Sequence, residues 1–571
     1  MTKRVYSLET EYALVHDTTR SPTTSSKSAE ELYALIEQDL LARLLSATCD
    51  PTRATTRQER SPIIEIREGY FLANGARIYL DTGHLEWASP ETSDPYQALV
   101  YDRAGALELV AAANVSTPQL GGGRLVIVKN NLDYQSGITY GCHENYSLRN
   151  RTASGHETIH QVVQRLVPFL VTRQILCGAG RLGASQVPYT GFQLSQRADF
   201  ITDVSSVQTR ESRPIVNLRD EPLANNREYA RLHLILGDSN MAEYSTFLKL
   251  GMTGILLDMI EMDAPLPRFI LVQPAEDISR VSRDLNFRYN LALTDGSSLT
   301  ALAIQREYWQ AARAFVMKQE DSEEWARHII QLWDNTLTVL EQHRGQAALQ
   351  LDLDWAIKRR LFGEILFSAG MTWHELDAWE LILAQTWQLS LPSDPPVMGW
   401  DKWLQTKVSA STWSVVESHR RAEHLDWKQY AQIRNIVTAL RVLDLRYHDI
   451  DPHHGLFYRR RATARIIPND RIIEDARTQA PRDTRAAVRA IAIHQASVRG
   501  EQIRADWDRL YFVRAQRQVE LPDPLANDVK VLERVLGKFA IPTLLSPSKP
   551  PEQDGMEIEI LNVEDWSESP K

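Results

Sequence analysis

Three cysteines in 571 residues, Cys49, Cys142 and Cys177, are too few and too scattered for a disulfide framework or a zinc site. No apolar run approaches the roughly 20 residues needed to cross a bilayer. The N-terminus, MTKRVYSLETEYALV, lacks the apolar stretch and small-residue cleavage site of a secretory signal. There is no internal repeat, no CxxC pair, and no glycine-rich loop joining a strand to a helix; LGGGR at 120–124 precedes a strand pattern and reads as a turn. Basic charge is also short, with 64 Lys and Arg against 74 Asp and Glu, a net charge of -10 that argues against general nucleic-acid binding. These absences exclude an integral membrane protein and a secreted disulfide scaffold, and point to a cytoplasmic protein without a P-loop or Rossmann site.

What is present is an ordinary globular composition, 43% hydrophobic and 24% charged, long enough to bury a large core. Residues 5–15, VYSLETEYALV, alternate with Tyr6, Leu8, Tyr12 and Leu14 on one face and Glu9, Glu11 and Ala13 on the other, the period of a strand. SAEELYALIEQDLLARLLS is an amphipathic helix with a serine cap and Glu31 three residues on. Residues 50–62 read as a flexible excursion, DPYQALVYDRAGALELVAAANV at 94–115 as a helix, and RLVIVKNN, ITYGCHENYSLR, GFQLSQRADFI, RPIVNLR and YARLHLILGD as strands. Strands and helices that do not alternate regularly predict an α+β fold with a largely antiparallel sheet.

From about 242 to 450 the pattern is mostly helical, and 363–430 hold half of the fourteen tryptophans, either an inserted apolar docking patch or a local core. Residues 458–517 are rich in arginine without lysine, and the proline-rich acidic end is expected to stay disordered. The expected domains are 1–450, a large catalytic domain carrying the insertion; 451–540, a small basic C-terminal domain; and 541–571, an acidic tail.

In NGARIYLDTGHLEWASPE, residues 74–91, the polar face carries Arg77, Tyr79 and Asp81, and the tight turn returns Glu86 toward them. A face with Glu9, Glu11, Arg77, Asp81 and Glu86 cannot be a hydrophobic core, because each unpaired buried charge costs several kcal/mol. It is either solvated surface or a cradle for something charged. Further polar strand faces in CHENY, LSQRADF, VNLRDEP and ARLHLILGDSN, the last with Arg231 and His233, suggest one concave site. Carboxylates with histidines and no cysteine suit Mg²⁺, arginines suit phosphate, and an unligated aspartate suits a base. Together they describe a Mg·ATP site for phosphoryl transfer to a carboxylate.

The motifs LETEYAL, NGARIYLD, KNNLDYQSGITYGCHENY, PFLVTRQILCGAGR, LSQRADF, SSVQTRESRPIVNLRDEP, RLHLILGDSNMAE, IQREY, LDWAIKRRLF and LDLRYHDI resemble, in order, those of the Pup ligase and depupylase family, over most of 5–515 but not 363–430 or the tail. That family is similar to glutamine synthetase. The resemblance implies a curved antiparallel sheet cradling Mg·ATP, backed by helices, with a small C-terminal domain against it. It implies an enzyme that phosphorylates the side-chain carboxylate of the C-terminal glutamate of Pup, a small acidic modifier, and joins it to substrate lysines for the proteasome, or one that hydrolyses the same bond.

Carried over by position, the resemblance makes Glu9, Tyr79 and Glu86 Mg²⁺ ligands, Arg77, Ser89 and Trp507 ATP contacts, and Asp81 the catalytic aspartate. His143 and His233 lie in matching motifs without an assigned role. The basic segment 458–517 would hold the acidic modifier. YGCHENY, VTRQILCGAGR, SSVQTRESRPI, GDSNM, IKRRLF and LRYHDI look like the ligase branch; GFQLSQRADF and the short DTGHLEWASPE look like the depupylase branch. The count of motifs favours an ATP-dependent ligase, with the depupylase or deamidase and a non-catalytic modifier-binding scaffold as alternatives.

Overall fold

The alternation in residues 5–15 folds as strand β1 (Tyr6–Asp17), with Tyr6, Leu8 and Tyr12 at most 2% exposed and Glu9 and Glu11 on the opposite face. The computed structural model describes residues 2–19, 26–49, 69–81, 83–134, 136–149, 159–183, 191–207, 212–219, 223–319, 322–342, 352–392, 394–459, 466–538 and 556–558. The excursion expected at 50–62 lies outside them. The helix Ala29–Arg43 opens with the expected reciprocal cap: Ser28 accepts from the Glu31 N–H, and the Glu31 side chain accepts from the Ser28 N–H.

The further strands are β2 (Ser46–Cys49), β3 (Tyr70–Leu72), β4 (Arg77–Asp81), β5 (His84–Ala88), β6 (Arg124–Val128), β7 (Cys142–Arg149), β8 (Asp203–Ser206), β9 (Pro214–Asn217) and β10 (Tyr229–Leu234). They form one sheet in the order β2-β3-β4-β5-β1-β7-β10-β9-β8, with β6 paired to the far end of β1. Its neighbours are antiparallel except β8 with β9 and, at the other edge, β2 with the strand Ile503–Ala505. The α+β expectation holds.

Helices Pro95–Ser116 and Glu243–Glu261 cover the apolar side of the sheet. Every residue of the second is buried, so its charges must be paired. Arg4 does this for two of them, reaching Asp258 at 2.6 Å and Glu261 at 2.9 Å. Gly254 lets this helix approach β1: a Cβ there would fall 2.3 Å from the Tyr6 hydroxyl.

GFQLSQRADFI does not form the expected strand. The Asp238 carboxylate takes the N–H groups of Gln196 (2.9 Å) and Arg197 (3.1 Å), donors a ladder would need, and residues 198–200 close as a 3-10 turn. LGGGR is a turn, with φ of 72°, 142° and 81° at Gly121, Gly122 and Gly123, and β6 follows it.

The tryptophans of 363–430 complete a core and do not form an apolar surface. Trp379, Trp400 and Trp427 are at most 9% exposed, Trp413 stacks on Trp427 with centroids 5.8 Å apart, and Trp379 meets Trp427 edge-on at 6.1 Å. Helices Ala410–Ala422 and Tyr430–Tyr447 bring these rings together and join them to the main core.

The C-terminal region does more than pack against the cradle, because its strands Ile503–Ala505, Arg509–Phe512 and Arg517–Glu520 extend the same sheet to thirteen strands. Its arginines are not all available to a partner. Arg485 and Arg489, 3% and 0% exposed, both hold the buried Glu91, and Arg477 bonds Glu108 and Glu474. Of the acidic tail, Met556–Ile558 is described, as a strand antiparallel to Ile466–Pro468; the rest lies outside the described residues.

Candidate active site

Directly opposed residues of an antiparallel ladder share a face. On β1, Glu9 opposes Ala88 and His143, while Glu11 opposes Glu86. On β4, Tyr79 opposes Glu86, Asp81 opposes His84, and Arg77 opposes Ala88. The registers therefore place Arg77, Tyr79, Asp81, His84, Glu86, Glu9, Glu11 and His143 on one face, and β10 adds Arg231 and His233 through Ser147 and Asn145. Proximity of all seven candidates except Ser89 and Trp507 follows from alternation and register alone.

Glu9 is the centre of one group. Arg231 donates to it at 2.9 Å, His143 Nδ1 lies at 3.4 Å and His233 Nε2 at 3.6 Å. Burial pushes the Glu9 carboxyl up, but Arg231 and the two histidines outweigh it and hold it well below the usual range. Burial and Arg231 push His233 well below its usual value, so its ring is neutral. Its Nε2 is buried without a hydrogen-bond partner among the described residues. A neutral imidazole nitrogen facing an ionised carboxylate, with His143 alongside and all three ligand atoms within 4.8 Å of one another, is a donor set that fits a divalent cation.

The second group is Tyr79 and Glu86, whose phenol donates to the carboxylate. Glu86 is 4% exposed, and burial, then Glu9, then Glu11 push its carboxyl well above the usual range. Burial, Glu86 and Glu9 likewise raise the Tyr79 phenol. Crowded acids that must hold a proton unless a cation neutralises them are a second feature that suits a metal position. The Arg77 guanidinium sits 4.4 Å from the Tyr79 ring centroid, on the same face, and Asp81 is exposed at the rim.

Glu11 holds His84 through Nδ1 at 2.7 Å, and that bond helps keep the Glu11 carboxyl at about 2 despite burial. Gly141 is the close approach here: a Cβ would fall 2.5 Å from His143 Nε2 and 2.8 Å from Glu11 Oε1.

Between the sheet and the C-terminal region lies an open recess lined by Ser7, Glu9, Tyr229, Arg231, Arg485 and Trp507, among others. Trp507, 9% exposed, meets Phe71 edge-on at 5.0 Å and has Arg489 5.1 Å from its ring. Ser89 is 1% exposed and braces the wall from behind: its hydroxyl accepts from the Leu8 N–H at 2.9 Å and meets Ser7 Oγ at 3.3 Å.

The family profile described as "Pup-ligase protein" matches residues 4–384 and 409–511, which include every residue of the candidate site. The chain belongs to the Pup-ligase family. Only 385–408 of the tryptophan-rich region falls outside that match, a narrower gap than 363–430. The Pup–protein ligase of Micrococcus luteus is 32% identical over 94% of this chain and 98% of its own length. The depupylase of Acidothermus cellulolyticus is 34% identical over 77% and 74%. Among solved structures, the Pup ligase PafA in complex with Pup superposes with a TM-score of 0.70 at 28% identity, covering 94% of this chain and 91% of that one. PafA in complex with ADP gives 0.65 at 29%, covering 82% and 89%. Membership spans ligases and depupylases, so the direction of the reaction is a separate matter.

His143 and His233 have no assigned role in the sequence; the structure brings both to Glu9 and pairs Glu11 with His84. The available signal was alternation within a strand, which puts Glu11 on the face of Glu9 and His233 on the face of Arg231.

Proposed function

We propose that this chain is an ATP-dependent carboxylate-amine ligase that joins the C-terminal glutamate of a small acidic Pup-like modifier to lysines of protein substrates. The observation that carries this is the row of groups across one sheet face: a recess closed by Trp507, then Glu9 with two histidines, then Glu86 with Tyr79, then Asp81 at the rim. The order suits a nucleotide whose terminal phosphate points along the sheet toward a carboxylate and an amine.

ATP and Mg²⁺, when bound, supply the phosphoryl group and neutralise its charge. Glu9, Tyr79 and Glu86, with His143 and His233, are the metal positions. Arg77 and Trp507 take the nucleotide, and Ser89 supports their wall. The modifier's γ-carboxylate attacks the terminal phosphorus and ADP leaves; the lysine amine then attacks the activated carbonyl and phosphate leaves. Asp81 accepts the amine's proton, a task that suits an exposed carboxylate facing incoming substrate. The reading places the enzyme in the cytoplasm, marking proteins for the proteasome; no described helix is long and apolar enough to cross a membrane.

A depupylase is the second reading. It is favoured by one feature, the short turn in which Asp81 and His84 face each other across the β4–β5 hairpin. A single experiment separates the two. The protein is incubated with Mg·ATP, a modifier peptide ending in glutamate and a lysine-bearing acceptor, with pre-formed conjugate in a parallel tube, and both are followed by mass spectrometry. Loss of water between peptide and acceptor with ATP consumed supports the ligase. Cleavage of the conjugate without ligation replaces it with the depupylase. Neither reaction, with Mg·ADP not bound, refutes both in favour of a scaffold.

A further inference from the structure

The cradle is rich in carboxylates, yet two guanidinium groups beside it have none. Arg197 is 4% exposed, and its Nε and Nη1 have no hydrogen-bond partner among the described residues. No described carboxylate forms an ion pair within 4.0 Å with Arg197 or with the half-buried Arg213. A buried donor left unmade costs about 1–3 kcal/mol, and more when charged. A site that carries this cost at a fixed position is built to receive an anion.

The position is fixed. Asp238 accepts from Arg197 N at 3.1 Å and Gln196 N at 2.9 Å, and also holds Ser195 Oγ and the Ala179 N–H. Asn131 ties this loop to the segment before β7, its N–H donating to Gln196 Oε1 at 2.6 Å and its Nδ2 to the Tyr140 carbonyl at 2.9 Å. Arg213 donates to Thr139 Oγ1 on the same segment. That segment also gives Gly141 O to the Glu11 N–H, so both arginines stand at the Glu11 end of the cradle. Glu11 lies within electrostatic reach of Arg197 but is engaged by His84 at 2.7 Å.

Which anion belongs there follows from order along β1. The Trp507 recess is lined by Val5, Ser7 and Glu9 and includes neither arginine. Glu11 comes next, and the arginines lie beyond it, on the side away from the nucleotide recess. We propose that Arg197, with Arg213 beside it, binds the main-chain α-carboxylate of the modifier's C-terminal glutamate, leaving the γ-carboxylate free to face the phosphoryl group. The proposal rests on the ligase reading above, and applies equally if the same bond is hydrolysed. It explains how an acidic modifier with many carboxylates would react at its last residue alone.

The test compares two synthetic modifier peptides, one ending in glutamate and one ending in glutamate α-carboxamide, on the full-length wild-type chain and on Arg197→Gln and Arg213→Gln. Peptide Kd on the Mg·ADP-loaded protein, kcat/KM with ATP, and ADP Kd are measured for each. Wild type should prefer the free acid by about 10- to 100-fold, the worth of a charge-assisted hydrogen-bonded contact. Arg197→Gln should bring the two peptides within about 3-fold, Arg213→Gln should narrow the gap, and ADP Kd should stay within about 2-fold. Equal use of both peptides by wild type overturns the proposal without any variant. Loss of ADP affinity in Arg197→Gln matching the loss for peptide also overturns it, and assigns the arginine to phosphate. If wild type binds ADP but neither binds nor turns over either peptide, the ligase reading has failed and the carboxylate site falls with it.

Discussion

Replacing Glu91 with alanine should separate the C-terminal region from the cradle. The Glu91 carboxylate is 4% exposed and accepts from Arg485 Nε at 2.7 Å, from Arg489 Nη1 at 2.9 Å and from Arg489 Nη2. Its removal leaves two buried guanidinium groups without their carboxylate, which costs about 3–5 kcal/mol. The acid's own titration gives a similar figure. Burial raises the Glu91 carboxyl, but Arg489 and Arg485 outweigh it and bring it from the usual 4.5 to about 2. That difference is worth about 3 kcal/mol at 1.36 kcal/mol per unit. Because the folded value is the depressed one, this stabilisation is fully present above pH 4.5 and disappears as pH falls toward 2. At neutral pH the urea midpoint should drop by about 1 M, and wild type should lose stability more steeply than Glu91→Ala between pH 4.5 and 2. Arg489 also donates to the Trp507 carbonyl at 2.9 Å, so the recess wall should shift and Mg·ADP affinity should fall about tenfold or more. A midpoint within about 0.3 M of wild type, with ADP affinity unchanged, would refute this role for Glu91.

Asp81→Asn should lower turnover by about 100-fold or more while ADP Kd stays within about twofold, since it removes a proton acceptor and no nucleotide contact. Glu9→Gln should weaken Mg²⁺ dependence of nucleotide binding, read as ADP affinity titrated with Mg²⁺; an unchanged Mg²⁺ response would remove Glu9 from the metal set. Gly141→Ala would drive a methyl against His143 and Glu11 and should cut kcat/KM at least about tenfold with little change in thermal midpoint. Trp379→Ala, at a ring 2% exposed, should cost about 3–5 kcal/mol of stability, with kcat of the folded fraction unchanged; a large loss of kcat would mean the insertion reaches the site.

Much of the cradle was legible because a strand announces its faces. Alternation put Glu9 with Glu11 and Arg77 with Tyr79 and Asp81, and the tight hairpin returned Glu86; register then did the rest. Alternation says nothing about which strands become neighbours. For that reason the polar faces of CHENY and ARLHLILGDSN suggested a shared concave site, while the meeting of His143 and His233 at Glu9 itself, from strands more than 130 residues downstream, was not readable. The tryptophans misled in a different way. Hydrophobicity alone does not tell a surface from a satellite core, and the answer lay in the edge-on contact of Trp379 and the stacked contact of Trp413 with Trp427.

LSQRADF is the most instructive failure. Its composition admits a strand, but Asp238, some forty residues later, competes for its N–H groups and wins by offering side-chain acceptor oxygens at short range. The same competition fixes Arg197 beside the cradle instead of in a ladder. A local pattern was thus overridden at a position where the override puts a charged group next to the candidate site. If Asp238 serves that purpose, Asp238→Asn should impair peptide discrimination more than ADP binding, whereas a merely structural aspartate would lower both with the loss of fold.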